Sequence, residues 1–84
     1  MFYVYVLRSR ANNDLYIGYS KDLKKRLVAH NSGKVKSTKP YLPWNLIYYE
    51  AYKNKYDATR RERELKQHKA KDKLREQIVN SIKI

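Results

Sequence analysis

The sequence predicts an α+β domain in which a small, mainly antiparallel sheet of three strands is flanked by helices, in the order β-β-α-β-α-α. Three observations predict it. Runs of β-branched and aromatic residues occur at 2–7, 15–20 and 44–52. Apolar residues at helical spacing follow the second and third runs. The chain has 84 residues, enough for one small domain, so we expect a single domain over 1–84, with its main part at about 1–70 and a C-terminal helix at about 70–82.

The first two runs predict a β-hairpin. Residues 2–7 (Phe-Tyr-Val-Tyr-Val-Leu) have the composition of a buried strand, and residues 12–14 (Asn-Asn-Asp) tolerate a tight turn and a positive φ. The second run, 15–20, contains Gly18, and a glycine weakens a strand interior. Gly18 therefore predicts either a β-bulge or a place where another group approaches the backbone closely.

The first predicted helix carries a polar pair at the edge of its apolar face. Ser20 or Asp22 is the expected N-cap, and Asn and Gly at 31–33 favour the end of the helix. Arg26 and His30 are four residues apart, so they project side by side. A polar pair at the margin of a core indicates a lined cleft, and a histidine that is simply hydrogen-bonded at the core boundary is the alternative.

The later segments are predicted as a connector, a third strand and two further helices. Residues 33–43 form a polar connector with two prolines before the third strand. Asn54 and Asp57 are alternative caps for a second helix. Leu74 and Ile78 begin a repeat of one apolar residue in every four, which predicts the last helix.

The second predicted helix, at about 56–68, presents a carboxylate on its inward face. At 3.6 residues per turn, Ala58, Glu62 and Leu65 lie on one side of the helix. Glu62 is therefore a candidate ligand for Mg²⁺, which proteins hold with one or two carboxylates and several waters. A structural salt bridge from Glu62 to Arg26 is the alternative.

Composition and charge define the class of partner. The chain has 20 Lys and Arg against 8 Asp and Glu, a formal charge of +12, which attracts polyanions, with nucleic acid ahead of an anionic membrane. It has no Cys, so disulfides, thiolate zinc sites and Cys nucleophiles are excluded, and a reducing cytoplasmic location is expected. The longest apolar run is far too short to span a bilayer, so no membrane partner is expected. DNA is the expected partner, with RNA as the alternative. The candidate phosphate-binding residues are Lys24, Lys25, Lys34, Lys36, Lys39, Arg60 and Arg61.

Taken in order, these residues resemble the GIY-YIG nuclease domain. Residues 3–5 (Tyr-Val-Tyr) stand where that family has Gly-Ile-Tyr, and residues 16–18 (Tyr-Ile-Gly) match its second signature. Residues 21–27 resemble the family's helix with an essential Arg, and residues 58–62 match its later Ala-x-x-x-Glu helix. The resemblance covers about 1–70 and is closest to the small stand-alone bacterial members; the ordered combination is specific although no single motif is.

The resemblance implies a Mg²⁺- or Mn²⁺-dependent endonuclease that hydrolyses DNA phosphodiester bonds, in repair or recombination. It implies that Glu62 holds the metal and that Arg26 binds the non-bridging phosphate oxygens. Tyr5 or Tyr16 would take the proton from water, with Tyr5 preferred, and His30 would accept or pass that proton or orient a tyrosine.

Two further positions and two further functions follow from the same comparison. Gly18 fits a place where the backbone passes close to the active-site groups. Tyr19 stands where some relatives have Lys and is a further candidate member of the site. A basic, non-catalytic nucleic-acid-binding module is the alternative function. An adaptor that docks on a larger repair or recombination protein is compatible with either function.

Overall fold

A computed structural model describes residues 1–82 and shows a three-stranded sheet with helices on both faces. All strand pairs are antiparallel and the spatial order is β2-β1-β3, so the predicted α+β class and the order of its elements are confirmed. The strands are β1 (Phe2–Ser9), β2 (Leu15–Ser20) and β3 (Trp44–Tyr52). The helices are α1 (Leu23–Asn31), α2 (Lys55–Leu65), α3 (His68–Gln77) and α4 (Val79–Ile82), and a 3₁₀ turn spans Lys39–Tyr41. Among residues 1–82, no helix has the length and apolar character needed to cross a membrane.

The central strand divides the core into two clusters, because side chains alternate between the two faces of a strand. Val4 and Val6 belong to the cluster that α2 and α3 cover. Tyr5 and Leu7 point the other way and belong to the cluster that α1 covers. Both sides of this narrow sheet are therefore closed, and every core residue of β1 has a defined side.

The hairpin turn and a β-bulge set the strand register. Asn13 has a φ of 65°, the positive value that the turn composition predicts. The register between β1 and β3 shifts between Val6 and Leu7. The bulge therefore lies between β1 and β3, and Gly18 pairs regularly with Tyr5 across β1 and β2, which leaves close approach as the explanation for the glycine.

The structure chooses between the alternative caps. The Asp22 carboxylate accepts a hydrogen bond from the Lys25 amide at 3.0 Å and caps α1. The Asn54 side chain accepts from the Tyr56 amide at 2.8 Å and caps α2. Ser20 instead bonds the backbone of Asp22.

The prediction of the later helices was wrong in its boundaries. The second helix ends at Leu65 and not at about 68, and the last helix begins at His68 and is divided at Ile78. Leu65 and Leu74 are nine residues apart, so one continuous helix would place them on opposite sides. The break after α2 lets both side chains, each 1% exposed, reach the same core.

Candidate active site

The Tyr5 ring lies directly against the backbone of Gly18. A Cβ built at Gly18 would fall 2.9 Å from Cε2 of Tyr5 and nearer still to Cζ and the hydroxyl oxygen. Only glycine leaves room for the ring. The predicted close approach at Gly18 is thus present, and the approaching group is the hydroxyl end of Tyr5.

A chain of hydrogen bonds runs from Tyr5 through α1 into the connector. The Tyr5 hydroxyl and His30 Nε2 are 2.8 Å apart, and His30 Nδ1 and Thr38 Oγ1 are also 2.8 Å apart. Arg26 Nε donates to the Tyr5 hydroxyl over a longer 3.4 Å. Tyr5, His30 and Thr38 are all buried, with at most 1% of their surface exposed, so water does not compete for these bonds.

One assignment of protons satisfies every contact in this chain. The Thr38 hydroxyl donates to the Val35 carbonyl at 3.3 Å, so its oxygen accepts from His30 Nδ1–H. Nε2 of the neutral imidazole is then an acceptor, and it receives the Tyr5 O–H. The remaining lone pairs of the Tyr5 oxygen face Arg26, which can only donate.

Burial and one nearby cation keep His30 neutral. Desolvation, followed by the charge of Arg26, lowers the pKa of His30 from 6.5 to about 4. Burial also raises the pKa of Tyr5 above 10.0; the Arg26 hydrogen bond opposes that rise, and charge on Tyr16 and Glu62 adds to it. The hydrogen bond to Tyr5 raises the already high pKa of Arg26. The site therefore contains a fixed cation beside two groups held neutral.

Tyr16 completes this group from the neighbouring strand. Its ring meets the His30 ring edge-to-face with the centroids 5.0 Å apart, and the Tyr5 ring lies 6.4 Å away. Tyr16 and Arg26 are half-buried, whereas Tyr5 is buried. Tyr16 and Arg26 are therefore the members of this group that a solvent-borne substrate can reach.

The connector that provides Thr38 is fixed by β3 and by the end of α1. The Trp44 indole donates to the Thr38 carbonyl at 2.9 Å. The Asn31 side chain makes two hydrogen bonds with the Trp44 backbone, at 2.9 and 2.7 Å. Thr38 was missed from the sequence because a threonine in a connector with three lysines and two prolines resembles part of an exposed loop. The one available signal was the tryptophan six residues later.

Glu62 lies on α2 between the buried residues Ala58 and Leu65, as the helical spacing predicts. Its side chain is 22% exposed and forms an ion pair with Lys66 at 3.1 Å. The alternative of a salt bridge from Glu62 to Arg26 is not what the structure shows, since Arg26 donates to Tyr5. The charge of Glu62 nevertheless acts on Tyr5, so α2 brings this carboxylate towards the site from the other face of the sheet.

The residues present fit a hard divalent cation that is held by few protein ligands. Within residues 1–82 no cluster of three or more His, Cys, Asp or Glu could enclose a metal ion. A single carboxylate, Glu62, leaves positions for waters and phosphate oxygens, which suits Mg²⁺.

The candidate phosphate-binding residues differ in availability. Arg60 forms an exposed pair with Asp57 at 3.2 Å, which phosphate can displace because such pairs contribute about 0–1 kcal/mol. Arg61 instead donates two hydrogen bonds to Glu50, at 2.9 and 3.1 Å, and its guanidinium holds this strand carboxylate in place. The lysine candidates are all exposed: Lys24, Lys25, Lys34, Lys36 and Lys39.

Glu50 is the centre of a network that the sequence did not reveal. Tyr48 and Tyr52 both donate to its carboxylate. Burial alone would raise the pKa of Glu50, but the hydrogen bonds from Arg61 and the two tyrosines outweigh it and lower the pKa. Burial and the hydrogen bond to Glu50 raise the pKa of Tyr48 and of Tyr52 to about 12. This network links β3 to α2, so Arg61 is better explained as a structural residue.

Tyr19 lies apart from the hydrogen-bond chain of Tyr5, His30 and Thr38. It is next to Gly18 and therefore points to the opposite face of β2. There its ring stacks on Phe2 with the centroids 6.5 Å apart. This position gives Tyr19 a packing role on the side of the sheet that α2 covers.

Comparisons with known proteins identify the family of this chain. The family model of the GIY-YIG catalytic domain matches residues 1–75. The chain is 46% identical over 70 residues to a UPF0213 protein of Streptococcus pyogenes, which covers 82% of this chain and 75% of that protein. It is 40% identical over 84 residues to a UPF0213 protein of Pediococcus pentosaceus, with 99% and 87% covered.

A solved structure shares the fold as well. The solution NMR structure of a UPF0213 protein from Bacillus halodurans matches with a TM-score of 0.56 at 35% identity, over 88% of this chain and 82% of that chain. The residues that resemble the two signatures, 3–5 and 16–18, lie on the paired strands β1 and β2 and meet where Tyr5 pairs with Gly18. The resemblance seen in the sequence is confirmed: the chain belongs to the family of GIY-YIG catalytic domains, which are nucleases.

Proposed function

We propose that this protein is a Mg²⁺- or Mn²⁺-dependent endonuclease that hydrolyses phosphodiester bonds in DNA, in repair or recombination. One observation carries the proposal: a buried Tyr5–His30–Thr38 hydrogen-bond chain holds the Tyr5 hydroxyl against the half-buried Arg26, with the Tyr16 ring beside it. These three buried, hydrogen-bonded side chains hold the site in one arrangement, and a phosphate can reach it through the half-buried Tyr16 and Arg26.

Arg26 is the group that binds the phosphate. Its guanidinium offers several donors in a plane, which suits the non-bridging oxygens of a phosphodiester and the extra charge that develops on them. Tyr5 fixes the guanidinium through Nε. Because the site is partly closed to water, this charge acts more strongly than it would on an open surface.

Tyr16 is the tyrosine that receives the proton of the attacking water. Tyr16 is half-buried and lies next to the Arg26 guanidinium, so it can reach a water that attacks a phosphate held by Arg26. Tyr5 is less suited, because its O–H is directed into His30, and an imidazole with a pKa of about 4 is a poor store for a second proton. Because Tyr5 is buried, the two roles that the sequence suggested are exchanged. Tyr16 takes the proton, and Tyr5 positions Arg26.

Glu62 is the residue that would hold the divalent cation. The cation, when bound, supplies positive charge for the phosphate and the departing oxygen. Exposed lysines on α1 and in the connector supply affinity that does not depend on base sequence, since phosphate contacts position a protein while base contacts specify the site.

The test is cleavage of supercoiled plasmid and of a labelled branched duplex with Mg²⁺, with Mn²⁺ and with chelator. Glu62→Ala should abolish metal-dependent nicking and keep DNA binding in a gel-shift assay. Glu64→Ala is the matched control, because Glu64 lies two residues further on the same helix, is 53% exposed and pairs with Arg61. A Glu62→Ala protein that cleaves like the wild type would refute the role of Glu62.

The alternative function gives a different result in the same experiment. A non-catalytic binding module would retard DNA in every lane and cut it in none, with or without metal. The same result at low salt, together with cleavage after addition of a larger repair or recombination protein, would instead identify an adaptor-dependent enzyme.

A further inference from the structure

A groove lies beside α1, on the side away from Arg26. Its aromatic wall is Tyr3 and Tyr49, its apolar floor includes Leu27 and Leu46, and its charged residues include Lys21 and Lys24; its volume is about 440 Å³. This volume is within the range of small-ligand sites, about 300–1,000 Å³. The hydrolytic site described above does not use this groove.

The two tyrosines form an ordered aromatic surface. Tyr49 pairs with Tyr5 across β1 and β3, so both side chains lie on the face that α1 covers. Tyr49 is nevertheless 53% exposed. Its ring meets the Tyr3 ring edge-to-face, with the centroids 6.0 Å apart and 67° between the planes. Rings fixed in this way lose little conformational entropy when a flat ligand stacks on them.

The charges around the groove select the ligand. Lys21 lines both this groove and the depression on the opposite side of α1, where Arg26 and Lys25 lie. Asp22 also lines both, but its carboxylate accepts the Lys25 amide as the cap of α1 and is outnumbered by the four cations. A polyanionic backbone that crosses the N-terminal end of α1 would therefore meet cations on both sides of the helix. An aromatic wall next to a cationic path is the arrangement by which proteins hold single-stranded nucleic acid.

We propose that this groove binds one unpaired nucleobase of the DNA substrate, stacked on Tyr49 and Tyr3, while Lys21 and Lys24 contact the flanking phosphates. The inference rests on the proposed nuclease function and adds the form of DNA that the site accepts. A base within an intact duplex is stacked between its neighbours and cannot enter, so strands with an unpaired base bind more tightly than perfect duplex.

The experiment uses a short single-stranded oligonucleotide that carries one 2-aminopurine, whose fluorescence falls when the base stacks. It is titrated with wild-type protein in chelator, so that no strand is cut. Tyr49→Leu removes the ring and keeps an apolar side chain, and Tyr49→Phe keeps the ring. Tyr56→Leu is the matched control, because Tyr56 is 78% exposed and lies on α2.

The wild type and Tyr49→Phe should quench the probe, and Tyr56→Leu should behave like them. Tyr49→Leu should lose the quenching and bind the strand about 5- to 150-fold more weakly, the range for one stacked base, while its affinity for perfect duplex stays unchanged. Wild-type binding by Tyr49→Leu, or an equal loss on duplex and on single strands, would overturn the proposal.

The two hypotheses fail separately. If the groove does not bind a base, Tyr49→Leu keeps wild-type quenching and metal-dependent plasmid nicking is unaffected. If the protein is not a nuclease, the plasmid assay shows no nicking, and the 2-aminopurine titration in chelator still reports whether a base stacks on Tyr49.

Discussion

The buried, neutral His30 should make the stability of the protein depend on pH. In the folded protein its pKa is about 4, against 6.5 for an unperturbed histidine. Between these values the unfolded chain binds a proton at His30 that the folded chain does not bind. The stabilisation is therefore complete above pH 6.5 and is lost as the pH falls towards 4. With these two pKa values, the free energy of unfolding falls by about 2 kcal/mol by pH 5 and by about 3 kcal/mol by pH 4.

The assay is urea unfolding at about pH 7.5 and about pH 5 for the wild type, His30→Gln and His68→Gln. The chain has two histidines, and His68 is exposed at the start of α3, which makes it the matched control. The wild type and His68→Gln should both lose about 2 kcal/mol more between the two pH values than His30→Gln does.

For each protein, the change in the free energy of unfolding is taken relative to its own value at the higher pH. A general loss of stability caused by the His30→Gln substitution therefore cancels. The lower pH is kept near 5 because the pKa of Glu50 lies below its usual 4.5, and its protonation therefore contributes only at more acidic values. An equal pH dependence in the wild type and His30→Gln would refute the view that the fold holds His30 neutral.

Three other substitutions test single contacts of the site. Gly18→Ala should destabilise the protein by about 1–3 kcal/mol, the usual range for overpacking, because the new Cβ meets the buried Tyr5 ring; an unchanged urea midpoint would show that the ring can move. Thr38→Val should remove the acceptor for Nδ1–H and shift His30 towards the other tautomer, seen in its ¹⁵N chemical shifts, and Thr38→Ser should restore it. Tyr16→Phe should lose most cleavage while keeping its unfolding free energy within about 0.5 kcal/mol, as half-exposed positions usually do; full activity in that variant would remove Tyr16 from the chemistry.

The hairpin could be predicted because its signals are local. Runs of β-branched and aromatic residues identify β1 and β2, and residues 12–14 identify the turn between them. A close approach to the backbone at Gly18 could be predicted for the same reason, because a glycine inside a run of β-branched and aromatic residues needs an explanation. The Tyr5 ring that explains it belongs to the other strand, and only the register of the pair identifies it.

Thr38 and Glu50 could not be predicted, because their roles arise from contacts between distant segments. Thr38 is buried by Trp44 and bonds a helix eight residues earlier in the chain. Glu50 meets Arg61, which lies eleven residues later in the sequence. Because the whole sequence is basic, nothing in it distinguishes Arg61 from the neighbouring Arg60. Both roles depend on which side chains the fold brings together and removes from water. A pattern of charge or polarity along the sequence does not report this.

The narrowness of the sheet explains how a site can draw on both of its faces. β2 is an edge strand, and Tyr5 on the central strand extends its hydroxyl across Gly18 towards that edge. α1 brings Arg26 to the hydroxyl on one face, and α2 brings Glu62 close enough on the other for its charge to affect Tyr5. A side chain at position 18 would displace the Tyr5 ring and move its hydroxyl away from Arg26. The glycine is therefore required by the packing of Tyr5 and by the site, and loss of activity in Gly18→Ala should accompany its loss of stability.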